Sequence, residues 1–409
     1  MSTRLPIPCF PVLHRGELLY SALARQAYQL QYPDGRFQLL ETFGPRASVS
    51  TIDLPNSLDF LVAGLNPRYG HSADQLIADH TTFPFYAPFL QPEQAAGVQA
   101  AMRSEDGRGI HALAGIVPSV VPLPPALRYC PDCAAEDRRE RGEALWYRLH
   151  QIAGVEVCPI HRAWLELGSA RSNHAGGRYR YVVAEESIPA GPARPVAEAD
   201  RDGEDLLAIA RDTAWLLEQH DLPSDIAALH RRHRLLLDDA GLLTTGGSIR
   251  QGRLREGFIA RFGALLTRLG CPLEAHIKEQ WLARLARKPD EALHPLLHLL
   301  LMRFLGVDAP TFFDLPTDGE RQPFEVGPYP CLNHASDHYG QPTIARPVIA
   351  VSSAPAIHRS AISSAPSVAS AIRVPGPIRP SRTVSESAGA SASARSGWPP
   401  WIGNGPMPR

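Results

Sequence analysis

Apolar positions recur at helical spacing along most of the chain up to Gly306. In "GELLYSALARQAYQL", Leu19, Ala22, Leu23, Gln26 and Leu30 fall on one stripe of a 3.6-residue helix. "SLDFLVAGL" is a shorter amphipathic piece, and "GEDLLAIARDTAWLLEQH" aligns Leu206, Ile209, Ala210, Thr213 and Leu217. Further on, "SIRQGRLREGFIARFGALLTRLG" brings Leu254, Phe258, Phe262, Leu265 and Leu269 together with arginines on the other faces. Gly252, Gly257 and Gly263 count against that helix, since each costs about 1 kcal/mol relative to alanine. "HPLLHLLLMRFLG" is nearly all apolar and so reads as a buried helix, and no fixed-period repeat runs through the chain. The pattern predicts a mainly α protein.

Length and composition narrow the setting. The chain has 409 residues, of which 44% are hydrophobic, enough for more than one domain. No apolar run approaches the ~18 residues of a membrane span, and the proline-broken "MSTRLPIPCFPVLHRG" does not suit the apolar region of a signal peptide. A soluble, intracellular, cytoplasmic protein with no membrane partner is expected. The net charge of −1 gives no global attraction to nucleic acid. Charge is uneven, however: Arg231 to Arg268 carries eight arginines against Asp238, Asp239 and Glu256, whereas Glu185 to Asp225 leans acidic. Together with the loop-like "SIPAGPARPVAEADRDG", this predicts a linker over 171–203 between a domain of 1–170 and a helical domain of 204–310. Beyond a segment at 311–339, residues 340–409 are rich in Ala, Ser, Pro and Arg, with Glu386 as the one acid and no lysine. Such a composition predicts a disordered low-complexity tail.

The chemistry concentrates in "RYCPDCAAEDRRERGEALWYRLHQIAGVEVCPIH". Cys130-Pro-Asp-Cys133 is a pair with two residues between its ends, and Cys158-Pro-Ile-His161 repeats that spacing after 24 intervening residues. In an intracellular chain such pairs indicate metal or redox work before disulfides. Two turns brought together supply three thiolates and one imidazole, the closed tetrahedral set of structural zinc. A redox CxxC would need a thioredoxin-like βαβ setting, which the flanking sequence lacks, and would leave Cys158 and His161 without a role. A Cys/His catalytic pair would need an unligated thiol. The reading is therefore a CCCH structural zinc finger over 128–165, with Cys130, Cys133, Cys158 and His161 holding one Zn2+. His150, on a helical stretch beside Trp146 and Leu149, is expected to pack near the site without ligating.

These residues carry a resemblance to the TniQ/TnsD family of bacterial transposition proteins, nearest to the TniQ proteins of mercury-resistance-type transposons. "GELLYSALARQA", "HTTFPFYAPFL" and the finger, with Trp146, His150, Gln151, Gly154 and Val157 between its cysteine turns, support it over about Pro6 to Leu165. The resemblance implies an N-terminal TniQ-like domain with the zinc finger embedded in it, then a helical portion of helix-turn-helix type. It also implies a non-catalytic accessory role in target-site selection: linking target DNA, or a targeting complex, to an AAA+ ATPase regulator and a DDE transposase at the nucleoid. The arginine excess in the downstream helical region would then offer Arg250, Arg253 and Arg255 as nucleic-acid contacts.

One stretch departs from the family. "GPYPCLNHASDHYG" resembles the start of a second zinc module, yet Ser336 stands where a second cysteine is expected and no later CxxC follows. Cys331, His334 and His338 offer three donors, so 311–339 reads as a degenerate module without zinc, in a shortened member of the family. No P-loop, GxSxG or HExxH occurs, which argues against an enzyme. The competing function is a zinc-finger, sequence-specific DNA-binding regulator unrelated to transposition.

Overall fold

The computed structural model describes residues 6–316 apart from 8, 47–48, 117–118, 172–177, 275–279 and 289–290, and then 328–331, 337–344, 348–351, 359–365 and 368–373. They divide into two compact units. The larger holds the chain up to Leu242 and Gln251–Leu315; the smaller holds Leu243–Arg250 and the described part of Pro316–Pro399.

The larger unit is mainly helical, with short paired strands around the cysteine turns. Helix Leu19–Leu30 departs from its expected one-sided stripe, because every residue from Leu19 to Gln26 is buried. Its polar side chains make this tolerable by finding internal partners. The Ser21 hydroxyl accepts the Trp146 N–H at 3.1 Å, and the Gln26 amide donates to the Cys9 carbonyl at 2.7 Å. Arg25 donates to Glu17 at 3.0 and 2.9 Å and to the Val12 carbonyl at 2.6 Å. Burial pushes the Glu17 carboxyl up, and the adjacent Arg25 guanidinium opposes that shift.

The three stretches that carried the resemblance meet at Glu17. The Leu18 N–H donates to the Trp146 carbonyl and the Arg148 N–H to the Gly16 carbonyl, both at 2.9 Å, as Glu17 bridges to Tyr147. Gly16 sits at φ +74°, a left-handed conformation that glycine adopts without strain. His80, which ends helix Ala73–His80, places Nδ1 2.9 Å from the Glu17 carbonyl. The "FPFYAPF" turns that follow bury Phe85, Tyr86 and Phe89.

Helix Arg201–Leu217 buries the expected Leu206, Ile209, Ala210, Thr213 and Leu217. Helix Gln251–Arg268 buries Leu254, Phe258, Phe262 and Leu265 despite its glycines. Gly257 has a packing reason: a Cβ there would lie 3.2 Å from the Phe304 ring on helix Pro295–Phe304. Both helices join the N-terminal residues in one unit. Buried Arg148 donates to the Leu217 carbonyl at 2.8 Å and to Glu218 at 3.1 Å, and also to the Ala78 carbonyl. The stretch expected to be a linker is packed as well. Tyr181, Val183, Ala184, Ile188 and Val196 are buried, and the Trp164 and Val196 N–H groups bond the Arg194 and Arg162 carbonyls at 2.8 and 2.7 Å. Proline blocks helix there without blocking burial of an extended chain. Among the described residues no helix is long and apolar enough to cross a membrane.

In the smaller unit, Tyr329–Pro330 pairs antiparallel with Pro342–Ile344. Val348–Val351, Arg359–Ala365 and Val368–Arg373 form a three-stranded antiparallel sheet in chain order. These strands lie within the segment whose composition predicts a low-complexity tail; the rest of 340–409 lies outside the described residues.

Candidate metal centre

Each cysteine turn is set by a different local device. Strand Ala126–Tyr129, antiparallel to Glu166–Arg171, delivers Cys130 to the N-cap of helix Pro131–Arg141. Pro131 at the first helical position loses no intrahelical bond, and the first turn returns Cys133 beside Cys130. The second turn is a hairpin in which Val157 pairs with Trp164 and Cys158 with Ala163, and Arg162 takes φ +50° to close it. Cys130 and Cys158 are fully buried, Cys133 nearly so, and His161 is half-buried.

The four expected ligands converge. His161 Nδ1 lies 3.6, 3.3 and 3.7 Å from the sulfurs of Cys130, Cys133 and Cys158, and Cys133 Sγ lies 3.7 Å from Cys158 Sγ. Zinc bonds of about 2.3 Å to sulfur and 2.1 Å to nitrogen give a tetrahedron with edges of about 3.6–3.8 Å. The donor set therefore fits a four-coordinate ion in size and chemistry. Among the described residues it is the only group of three or more His, Cys, Asp or Glu with ligand atoms this close, all within 4.8 Å of one another.

Crowding couples the protons of these groups. Hydrogen bonds from Cys133 and Cys158 push the Cys130 thiol down, while the Cys133 and Cys158 thiols are held up, first by their hydrogen bonds to Cys130. His161 is pushed up to about 11, chiefly by hydrogen bonding to Cys130 and Cys158. A divalent cation at the centre would offset the repulsion that three thiolates face together. The other imidazole nitrogen of His161 lies 3.2 Å from Glu136 Oε1, an outer contact that would orient the ring with Nδ1 inward. Glu136 was not singled out from sequence; its place three residues after Cys133, on the helix the turn starts, is the signal that could have found it.

His150 stays outside the ligand group, as expected. It is buried against Tyr147, with ring centroids 5.5 Å apart, and burial lowers it to about 4. Its carbonyl takes the Arg128 side chain at 2.9 Å, and Gln151 exchanges two 2.8 Å hydrogen bonds with the Arg128 backbone. The segment between the cysteine turns is thus tied to the strand that leads into it. Gly154, at φ +90°, lets the segment press onto Leu296, which a Cβ there would meet at 2.5 Å.

The arginine-rich segment serves packing more than its charge count implies. Arg261 pairs with Asp205 at 2.7 Å and Arg231 with Asp225 at 3.7 Å; Arg268 bonds Glu156 and lies 4.2 Å over the Trp164 ring. Arg232 donates to the Leu315 carbonyl at 3.0 Å. Of the three expected nucleic-acid contacts, Arg253 is exposed and Arg255 half-buried on helix Gln251–Arg268. Arg250 belongs to the smaller unit, where it donates to the Leu243 carbonyl at 3.2 Å. In that unit Cys331 is buried, its N–H bonded to the Gln341 carbonyl at 2.9 Å, and His338 is exposed. His334 and Ser336 lie outside the described residues.

Two family models match the chain in succession: TniQ over residues 8–165 and TnsD, described as Tn7-like transposition protein D, over residues 209–354. The transposon Tn7 transposition protein TnsD of Escherichia coli is 28% identical over 301 residues, which are 72% of this chain and 57% of that protein. The chain therefore matches little more than half the length of that relative. Both the second family model and the Escherichia coli relative are described as transposition proteins. The chain belongs to the TniQ/TnsD family.

Proposed function

We propose that the chain is a non-catalytic accessory protein of target-site selection, linking target DNA or a targeting complex to an AAA+ ATPase regulator and a DDE transposase. The observation that carries this reading is the succession of a TniQ match and a TnsD match on one chain, with resemblance to a transposition protein across both. A zinc ion held by Cys130, Cys133, Cys158 and His161 would supply a structural cross-link with no open coordination position. The surrounding residues suit that role. Leu18, Arg148 and His80 fasten the finger and the "HTTFPFY" turns to one buried helix, so a bound ion would brace a rigid N-terminal domain. In this reading the helices around Gln251–Arg268 are the helix-turn-helix portion, with Arg250, Arg253 and Arg255 on DNA phosphates. Transposition in cells tests the function. Deleting the gene from an element that keeps its other transposition genes should abolish or redistribute insertions at the element's usual target, and an unchanged insertion map would contradict the proposal.

A further inference from the structure

A cleft of about 410 Å³ opens in the larger unit between the end of helix Leu19–Leu30, the start of helix Gly35–Phe43 and the segment Tyr179–Val183. It has no part in the metal centre. Its floor is fixed by a close approach: a Cβ on Gly35 would lie 2.3 Å from the Tyr179 carbonyl, so only glycine lets the two segments meet. The rings of Tyr28, Tyr32 and Tyr179 line it, with Gln31 and Asp34 between them. Tyr28 is 57% exposed, and the neighbouring Phe37 ring, 6.1 Å from Tyr32, is 56% exposed.

Three carboxylates, Asp34, Glu41 and Glu186, and three guanidiniums, Arg36, Arg178 and Arg180, surround the cleft, unevenly placed. Its carboxylates are engaged: Asp34 caps helix Gly35–Phe43 through the Arg36 N–H, Glu186 pairs with Arg180 at 2.7 Å, and neighbouring Glu41 takes the Tyr32 hydroxyl. The Arg36 and Arg178 guanidiniums instead lie over the Tyr179 ring, at 4.6 and 5.5 Å from its centroid, and neither has a carboxylate partner among the described residues. Two guanidiniums without a carboxylate contact at one aromatic ring favour an anion that also stacks. Nucleic acid with unstacked bases has that chemistry, because phosphate meets the guanidiniums and a flat base lies against tyrosine while its edge bonds polar side chains.

We propose that this cleft binds an unpaired nucleotide of single-stranded or locally opened nucleic acid, the base among Tyr28, Tyr32 and Tyr179 and the flanking phosphates on Arg36 and Arg178. This rests on the target-selection reading only in taking nucleic acid as the partner. Fluorescence anisotropy of the full chain with a labelled oligothymidylate, a duplex of equal length and an acidic peptide tests it. The single strand should bind more tightly than the duplex. The double change Arg36→Ala, Arg178→Ala should weaken it at least about tenfold and flatten its log–log salt slope by about 1.4, two phosphates at ~0.7 each. Tyr28→Ala should weaken it on the order of tenfold with the slope unchanged, the mark of lost stacking rather than lost charge. All three residues are exposed enough that melting temperature and zinc content should stay unchanged. The proposal is overturned if the strand fails to bind, if neither variant weakens it, or if the acidic peptide binds the cleft more tightly than the strand. None of these outcomes depends on the insertion map, so this site and the accessory function fail separately.

Discussion

At Cys130, Cys133, Cys158 and His161 the spacing announced the cluster, because two short turns with two residues between donors can close a tetrahedron whatever fold carries them. Purified protein is expected to contain about one zinc per chain by metal analysis, and Cys158→Ser should lose the metal and the cooperative folding of the finger together. His150→Ala should leave zinc content intact. Glu136→Ala should keep the fold and weaken zinc affinity roughly tenfold or more in chelator competition, since it removes the partner that orients His161. Glu17 shows what stayed illegible at this scale. A glutamate ahead of an apolar helix reads as a surface residue, and nothing local reveals that it pairs with Arg25 in the core while its carbonyl receives His80.

Among the elements, periodicity located the helices well and their exposure poorly. Helix Arg201–Leu217 buries the expected face, whereas the first two turns of Leu19–Leu30 are buried all round, because other parts of the chain supply partners for their polar groups. Helix Pro295–Phe304 read as merely apolar, yet it presents His298 to His233 of helix Ile226–Asp239, nitrogen to nitrogen at 3.2 Å, with His294 at its cap. The outer nitrogens, His233 Nδ1, His298 Nε2 and His294 Nε2, have no hydrogen-bond partner among the described residues. Burial lowers His294 and His298 to about 3; His233 falls well below its usual range through burial, then through His298, His230 and Arg232. Their folded pKa values lie below the unfolded ~6.5, so the unfolded chain binds more protons as pH drops. Stability is therefore full above about pH 6.5 and is lost progressively as pH falls toward 3, by up to about 1.4 kcal/mol per pH unit for each imidazole. Thermal melts between pH 7 and 5 should show that loss in the native chain. The double variant His233→Leu, His298→Leu should show a shallower dependence, and equal slopes would contradict the assignment.

For the whole molecule, the charge count was the least reliable guide. An excess of arginine looked like a nucleic-acid surface, but Arg261 and Arg268 pair with Asp205 and Glu156, acids that sequence distance hides, and Arg231 pairs with nearby Asp225. The same blindness separated a domain of 1–170 from one of 204–310. The structure joins those residues through Arg148 and places Arg268 on Trp164 of the second cysteine turn's hairpin. With so much positive charge committed internally, the isolated chain should bind duplex DNA weakly and without strong site preference. Selectivity should arise only with the proposed ATPase or another targeting factor, whereas a lone regulator would prefer one site by roughly a thousandfold or more at physiological salt. The most direct measurement is competition binding between a target duplex and a scrambled duplex, with and without an AAA+ ATPase regulator of the kind proposed above. The account predicts weak, salt-sensitive and unselective binding alone, and selective capture of the target when the ATPase is present; thousandfold selectivity by the chain alone would contradict it.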